Sequence, residues 1–234
     1  MAGLMVGWLA LASTVRGDPP ALDGQGTAKL PDSSVYMGDF KNGLFNGRGK
    51  LVRRDGAVYE GEFKDGLMHG QGTISNRTYT YTGGFSNGLC QGVGVLVQRN
   101  GDRYEGEFAD NSYNGKGVRT RKAGDRFEGT FKDDSAEGKG IVTYANGDRY
   151  EGDFSNNVFS GRGVLARTNG DRYEGEFRDS RFEGHGKLTF GTGDVYEGEF
   201  KVGTYDGKGV LTYATGRKIE GVWERGRLKR ETSH

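Results

Sequence analysis

The sequence predicts an all-β protein, built as a single elongated meander of stacked two-stranded hairpins in an open, solenoid-like sheet. Three observations indicate this fold class: a repeat of about 23 residues, an alternation of aromatic residues and glycine within each repeat, and strong turn signals between the alternating segments. Glycine supplies 44 of the 234 residues and proline only 3, which favours many tight turns over proline-rich disorder.

The repeat is defined by a Tyr-x-Gly-x-Phe phrase. Its first aromatic position recurs every 23 residues, with a single step of 22, and phenylalanine follows four residues later in each full unit. A Gly-x-Gly triplet then follows, as at Gly115 and Gly117. Eight full units with a half copy at each end extend from Gly24 to about Gly226. The first position is occupied by Tyr36, Tyr59, Tyr81, Tyr104, Phe127, Tyr150, Tyr173, Tyr196 and Ile219.

Each unit reads as one hairpin. In the first strand, the period of two places tyrosine, glycine and phenylalanine on one face and the intervening carboxylates on the other. Glycines opposite aromatic residues leave room for rings to lie flat over the backbone. We expect that one sheet layer cannot hide two rings per unit completely, so that some apolar surface stays available to a ligand. The predicted structural core comprises Tyr104, Phe108, Tyr150, Phe154, Tyr173, Phe177, Tyr196 and Phe200.

Two kinds of turn alternate along the chain. One kind carries Asn-Gly, as at Asn146-Gly147, which tolerates the positive φ of a tight hairpin. The other has glycine at its end, but four middle copies carry Asn111, Asp134, Asn157 and Ser180 at that position. The second unit is one residue short between Ser75 and Tyr81, which predicts a local twist or bulge there.

The termini depart from the repeat. Residues 1–23 form an apolar, irregular segment that is either a signal peptide or a cap, residues 24–226 form the array, and residues 227–234 form a basic polar tail. A signal peptide over residues 1–12 would make the protein secreted. Otherwise we expect a cytoplasmic protein associated with cytoskeleton or membrane.

Paired carboxylates recur in five units, at Glu60/Glu62, Glu105/Glu107, Glu151/Asp153, Glu174/Glu176 and Glu197/Glu199. Residues two apart on a strand are about 7 Å apart, near the spacing of an inverting glycosidase. An active site needs one distinguished pair, however, and these five are alike. The triplet Gly-x-Gly supplies basic residues on the same face, so cross-strand ion pairing is the favoured interpretation.

The remaining composition points away from chemistry. The charge is nearly balanced, with 33 basic and 32 acidic residues, which argues against a nucleic-acid partner. A single cysteine, Cys90, and three scattered histidines make no metal motif, and no nucleophile elbow or phosphate-binding loop occurs. We therefore predict no catalytic residue, no metal site and no cofactor.

The repeat resembles a known family. "YEGEFKDGLMHGQG" (Tyr59–Gly72) and "YEGEFKVGTYDGKG" (Tyr196–Gly209) are similar to MORN repeats, the membrane occupation and recognition nexus motif. The resemblance implies a non-catalytic scaffold or adaptor that binds protein and organises cytoskeletal, ciliary or membrane-associated assemblies, often with self-association. As an alternative, it implies a peripheral membrane protein that binds anionic phospholipids such as phosphoinositides.

Positions at which the copies differ are the candidate sites. A row of mostly apolar residues precedes Gly-x-Gly and reads either as a contact ridge for protein or as packing between repeats. A basic cluster near the C-terminus is the candidate for lipid headgroups. The protein-binding candidates are Phe45, Met68, Tyr113, Phe159, Phe182 and Tyr205, and the lipid-binding candidates are Arg225, Arg227, Lys229 and Arg230.

Overall fold

The computed structural model describes residues 23–232, so the predicted signal peptide lies outside the described residues. The described chain consists of strands and turns, and the strands form one open antiparallel meander. The predicted all-β fold class is therefore confirmed. Within residues 23–232, no helix is long and apolar enough to cross a membrane.

The strands belong to two compact units. The first unit comprises the described residues up to Lys122 together with residues 132–134. It contains nine strands, and each strand from β2 to β9 pairs with the one before it. They are β1 (Gly24–Lys29), β2 (Val35–Lys41), β3 (Leu44–Val52), β4 (Val58–Lys64), β5 (Leu67–Ser75), β6 (Tyr79–Ser86), β7 (Leu89–Gln98), β8 (Arg103–Ala109) and β9 (Ser112–Thr120).

The second unit comprises residues 123–131 and the described residues from Ser135 onward. Its hairpins repeat the pattern of the first unit. The strands are β10 (Arg126–Lys132), β11 (Ser135–Thr143), β12 (Arg149–Ser155), β13 (Val158–Ala166), β14 (Arg172–Arg178), β15 (Arg181–Thr189), β16 (Val195–Lys201), β17 (Thr204–Thr212), β18 (Lys218–Glu224) and β19 (Arg227–Glu231).

Facing glycines set the register of each hairpin. In the β12–β13 pair, Gly152 lies opposite Gly163, and a bulge follows directly between Gly152 and Asp153. A methyl group on Gly163 would stand 2.5 Å from the Tyr150 hydroxyl oxygen, so the missing side chain makes room for the ring. The Tyr150 hydroxyl then donates a hydrogen bond to the carbonyl oxygen of Asp153 at 2.9 Å. The absence of a side chain on glycine therefore lets the tyrosine ring lie flat on the sheet.

Within each repeat, the turn between the two strands of the hairpin has two residues, and both have positive φ. At Asn156 and Asn157 the φ angles are 49° and 68°, as in a type I′ hairpin turn. The Asn157 side chain also accepts a hydrogen bond from the Ala136 amide at 2.9 Å, which links neighbouring repeats. This contact explains why the middle copies carry polar residues where other copies carry glycine. Val202 occupies the first turn position, equivalent to Asn156, with a φ of 50°, an unfavourable conformation for a β-branched residue.

The Asn-Gly-Asp turns join consecutive hairpins through their aspartates. Asp148 Oδ1 accepts a hydrogen bond from the Thr168 amide at 2.9 Å, and Asp171 Oδ1 accepts one from the Gly191 amide at 3.0 Å. The hydrogen bond from the Thr168 amide, and then one from the Asn146 side chain, lower the pKa of the Asp148 carboxyl group below the usual value. The aspartate of this phrase is therefore a connector between repeats.

The second repeat, which is one residue short, does not contain the predicted bulge. Ser75 pairs with Thr80, and the β5–β6 register continues without a shift from there to Gly70 and Phe85. Asn76 closes the shortened turn, because its side-chain oxygen accepts hydrogen bonds from the amides of Thr78 and Tyr79 at 2.8 and 2.9 Å. One asparagine thus compensates for the missing residue and its glycine, and the prediction of a bulge was wrong.

Candidate functional site

The aromatic face buries its tyrosines and phenylalanines more completely than the sequence indicated. Tyr150 and Tyr196 are fully buried, and Phe154 and Phe200 nearly so. The predicted core residues Tyr104, Phe108, Tyr173 and Phe177 are buried as well. The expectation that one sheet layer leaves these rings partly open is therefore wrong. Other side chains on the same face cover them.

The covering side chains are those of the expected ridge. Phe159 stacks on Tyr150 with ring centroids 3.7 Å apart and an interplanar angle of 7°. Such stacking places the ridge residue over the tyrosine, with the glycine pair beneath it. Phe159 therefore packs within its own repeat, which neither interpretation had described, and its ring also meets Phe177 of the next repeat at 5.8 Å, as in the second interpretation. The stacked pairs are Tyr36 with Phe45, Tyr104 with Tyr113, Tyr150 with Phe159, Tyr173 with Phe182, and Tyr196 with Tyr205.

The six protein-binding candidates differ in accessibility. Phe45, Met68 and Phe159 are buried, with exposed fractions of 7%, 1% and 9%, and they present little surface to a partner. Tyr113, Phe182 and Tyr205 are half-buried and keep part of each ring accessible. Three of the six candidates thus have surface that a partner could contact, and partner binding by any of them stays a prediction.

A second apolar row lies on the aromatic face, which we call the aliphatic row, and its residues were not among the site residues predicted from the sequence. It consists of the residue directly opposite each tyrosine, as Leu165 is opposite Tyr150. In the first unit Leu51, Ile74 and Leu96 of this row are buried. In the second unit Leu165, Leu188 and Leu211 are half-buried. The signal in the sequence was the position of these residues two places after Gly-x-Gly.

Burial holds two ionisable side chains of this face, Cys90 and Tyr205, in the protonated form. Burial raises the pKa of Cys90 to about 12, so the thiol stays protonated at neutral pH. Burial, followed by the charges of Asp171 and Asp194, raises the pKa of Tyr205 to about 12. The Cys90 thiol and the Tyr205 hydroxyl are therefore neutral at ordinary pH and contribute to packing.

The opposite face carries the paired carboxylates, and the two members of a pair have different partners. Glu151 forms an ion pair with Arg149, two residues earlier on the same strand, at 2.7 Å. Asp153 accepts a hydrogen bond from the Arg162 amide at the bulge at 3.1 Å, and it pairs with Lys139 at 2.7 Å. The same two arrangements recur in other units, which matches a structural role. The expected cross-strand pairing is one part of it, and same-strand pairs are the other.

A shallow groove lies on this charged face within the second unit. It has a volume of about 740 Å³, and five glycines line it, namely Gly129, Gly140, Gly152, Gly163 and Gly175. The charged side chains that line the groove are those of four glutamates and two basic residues, namely Glu128, Glu151, Glu174, Glu176, Lys139 and Arg162.

The lipid-binding candidates lie at the end of the second unit. Every residue of β19 is exposed, including Arg227 and Arg230. Lys229 is paired with Glu224 at 2.7 Å, and this hydrogen bond lowers the pKa of Glu224 and raises that of Lys229. Arg225 occupies the preceding turn with a φ of 49°. Arg227 and Arg230 are therefore the more available charges.

Comparisons with known proteins identify the repeat. No curated protein sequence matches the chain. Among solved structures, a mutant TCP10 domain of Danio rerio CPAP is similar, with 14% identity, a TM-score of 0.46, and coverage of 89% of this chain and 99% of that one. The Drosophila melanogaster SAS-4 (dCPAP) TCP domain, solved with a proline-rich motif of Ana2, is 11% identical, with a TM-score of 0.29 and 90% coverage of both chains.

The family model for the MORN repeat matches eight consecutive segments of the chain. They are residues 36–58, 59–77, 81–103, 104–126, 127–149, 150–172, 173–195 and 196–216. Each matched segment begins at one of the aromatic positions that define the repeat, and the segments differ slightly in where they end. The chain therefore belongs to the MORN-repeat family.

Proposed function

We propose that the protein is a non-catalytic scaffold or adaptor that binds a partner protein through the aromatic face of its second unit. The observation that carries this proposal is that Leu165, Leu188 and Leu211 of the aliphatic row are half-exposed, whereas Leu51, Ile74 and Leu96 of the first unit and Val142 of the second are buried. Phe182 and Tyr205 lie on the same face and add partly accessible rings. Half-exposed apolar side chains in a row are typical of a protein contact surface.

A variant of the aliphatic row tests this proposal. Changing Leu188→Gln and Leu211→Gln together keeps the side-chain size but removes apolar contact. We expect affinity capture from native cells, read by mass spectrometry, to recover about tenfold less of the partner. The matched control carries Lys187→Gln and Val210→Gln, which lie on the same strands but on the opposite face. Equal recovery by the two variants would contradict the proposal.

The cellular setting is part of the same proposal. We propose that the scaffold acts in a cytoplasmic assembly associated with the cytoskeleton, a cilium or a membrane, and that copies of the chain self-associate. The family membership supports such a role. Imaging of the tagged full chain, with light scattering of the purified protein, tests the two parts separately. A secreted, monomeric protein would contradict both.

A second candidate function is peripheral binding to anionic phospholipids. The exposed β19 favours it, because Arg227 and Arg230 project from a strand without a buried residue. Each basic residue near an anionic bilayer contributes about 1 kcal/mol, so Arg227→Gln with Arg230→Gln should weaken binding to phosphoinositide-containing vesicles by about tenfold or more. The control is Arg181→Gln with Lys201→Gln, which removes the same charge elsewhere. Binding that does not respond to salt would exclude this function.

A further inference from the structure

The dipeptide Asn-Gly recurs along the chain and is chemically reactive. An asparagine before glycine can lose its side-chain amide, because glycine has no side chain to keep its backbone nitrogen away from the asparagine Cγ atom. Since the dipeptide is the same each time, the fold decides which copies react. The seven copies begin at Asn42, Asn46, Asn87, Asn100, Asn114, Asn146 and Asn169.

The Asn-Gly-Asp turns hold both reacting groups in hydrogen bonds. The Asn146 side-chain oxygen accepts a hydrogen bond from the Asp148 amide at 2.9 Å, and the side-chain nitrogen donates one to Asp148 Oδ2 at 3.0 Å. The Gly147 amide, which contains the attacking nitrogen, donates to the Tyr144 carbonyl oxygen at 2.9 Å. Reaction here requires these bonds to break first. The same bonds recur in the turns at Asn100 and Asn169.

Three further copies are constrained by a turn or by a neighbouring repeat. Asn42 and Asn87 occupy the first position of a hairpin turn, which fixes their φ angles at 51° and 49°. The Gly88 amide donates a hydrogen bond to a carbonyl oxygen of the preceding repeat at 2.9 Å. The Asn114 side-chain nitrogen donates to Asp133 Oδ1 at 3.4 Å, so this side chain is directed at the next repeat.

Asn46 differs, because its side chain is directed at the nitrogen that would attack it. The Gly47 amide donates a hydrogen bond to Asn46 Oδ1 at 3.1 Å. The Cγ atom is bonded to that oxygen and therefore lies near the Gly47 nitrogen, close to the arrangement that ring closure requires. Asn46 is half-buried and Gly47 is exposed, so water and hydroxide can reach the peptide bond between them.

The bulge in the β2–β3 hairpin produces this arrangement. The register of the two strands shifts between Gly38 and Phe40, and the extra residues of the bulge lie on β3 before Gly49. Gly47 adopts a φ of 63° within it, in the left-handed region. The peptide bond between Asn46 and Gly47 is therefore outside the regular pairing of β3 with β2.

We propose that Asn46 is a site of spontaneous deamidation in the folded protein, with water as the co-reactant. Hydroxide removes the proton of the Gly47 amide, and the nitrogen lone pair forms a bond to Asn46 Cγ. The bond between Cγ and the side-chain nitrogen breaks, and that nitrogen takes a proton from water and leaves as ammonia. Water then cleaves one of the two C–N bonds of the succinimide ring, which gives aspartate or isoaspartate.

The two products should differ in their effect on the fold. Aspartate keeps the normal backbone, and Glu137, Glu183 and Asp206 occupy the equivalent position in other repeats, where each accepts a hydrogen bond from a turn amide of the following repeat. Isoaspartate routes the backbone through the side chain and lengthens it by one carbon. This added length disturbs the β3–β4 register, in which Gly47 lies opposite Phe63. Isoaspartate should therefore destabilise the hairpin, whereas aspartate should not.

Incubation of the full chain in mildly alkaline buffer, followed by peptide mapping with mass spectrometry, tests the inference. We expect Asn46 to react at least about tenfold faster than Asn146, because reaction at Asn146 must first break the hydrogen bonds of its turn. Labelling with a protein isoaspartate methyltransferase measures the isoaspartate product. In urea the two asparagines should react at similar rates, since the fold then constrains neither. Asn46→Gln, whose longer side chain closes a ring less readily, should remove the signal at this position alone.

The possible results separate the fold from the local sequence. Equal rates at Asn46 and Asn146 in the folded chain, or an Asn46 that does not react, would overturn the inference. A difference that persists in urea would assign the effect to the flanking residues and would overturn it as well. Thermal melting tests the consequence, in which the incubated chain should contain a population that melts below the fresh protein, while Asn46→Asp should melt like the wild type. An incubated chain that carries isoaspartate and melts unchanged would contradict the expected effect on β3.

Discussion

The protein is expected to unfold steeply in alkali, as its buried tyrosines lose their protons. Burial raises the pKa of Tyr196 to about 12, and it raises the pKa values of Tyr150 and Tyr173 still further. The unfolded value is about 10. Because the folded pKa lies above the unfolded one, this stabilisation is complete below about pH 10 and is lost as the pH rises towards the folded value.

The effect is large because the same tyrosine recurs along the array. Each such phenol lowers the free energy of unfolding by at most about 1.4 kcal/mol per pH unit above its unfolded pKa. A phenolate also loses the hydrogen bond that the Tyr150 hydroxyl donates to the Asp153 carbonyl. We expect the melting temperature to change little up to about pH 9 and to fall by tens of degrees before about pH 12.

Circular dichroism and phenolate absorbance, followed together during an alkaline titration, measure this dependence. The two signals should change together, since ionisation requires opening of the stack. Tyr150→Phe should make the pH dependence shallower, whereas Tyr144→Phe, which removes a phenol from an exposed side chain, should leave it unchanged. Phenolate absorbance that rises near pH 10 while the strands persist would contradict the prediction.

The fold was predictable because its determinants are local. The spacing of Tyr150, Gly152 and Phe154 defines one strand face, and Asn146 with Gly147 defines the turn before it. Every repeat carries these signals, so an irregularity in one repeat does not change the pattern of the others. The missing residue after Ser75 had only a local effect, which the Asn76 side chain accommodates.

The site was harder to predict because it depends on packing across the hairpin. Phe159 follows Tyr150 by nine residues, and only the two-residue turn brings its ring back over the tyrosine. The different exposure of Leu96 and Leu188 depends on packing within each unit, which the sequence pattern does not encode. Arg119 is a charged residue in the sequence, and only the strand register shows that it lies opposite Tyr104.

For the carboxylates, too, the sequence predicted one part of the arrangement and not another. Their repetition indicated a structural role, and the ion pairs and backbone hydrogen bonds that they form match such a role. Their partners were only partly foreseen, because Glu151 pairs with Arg149 on its own strand. The hydrogen bond from the Arg162 amide to Asp153 depends on the bulge, which exposes a backbone N–H group that the strand pattern would have paired.

A single methyl group on the glycine floor is expected to be strongly destabilising. In Gly163→Ala, the new carbon would lie 2.5 Å from the Tyr150 hydroxyl oxygen and 2.6 Å from two ring carbons. The ring cannot move away, because Phe159 stacks on its other side at 3.7 Å and the Phe177 edge meets it at 5.0 Å. Overpacking of this kind costs about 3 kcal/mol, which corresponds to a fall in melting temperature of about 10 °C.

Two comparisons separate this steric effect from the general cost of replacing glycine. Gly138→Ala places a methyl group in open space at a φ of 72°, so it should cost only about 1 kcal/mol through backbone strain. In the Tyr150→Ala background the clash is absent, and Gly163→Ala should then destabilise the protein far less than it does alone. If the two substitutions proved additive in denaturant unfolding, the tyrosine would not be the reason that glycine is required at this position.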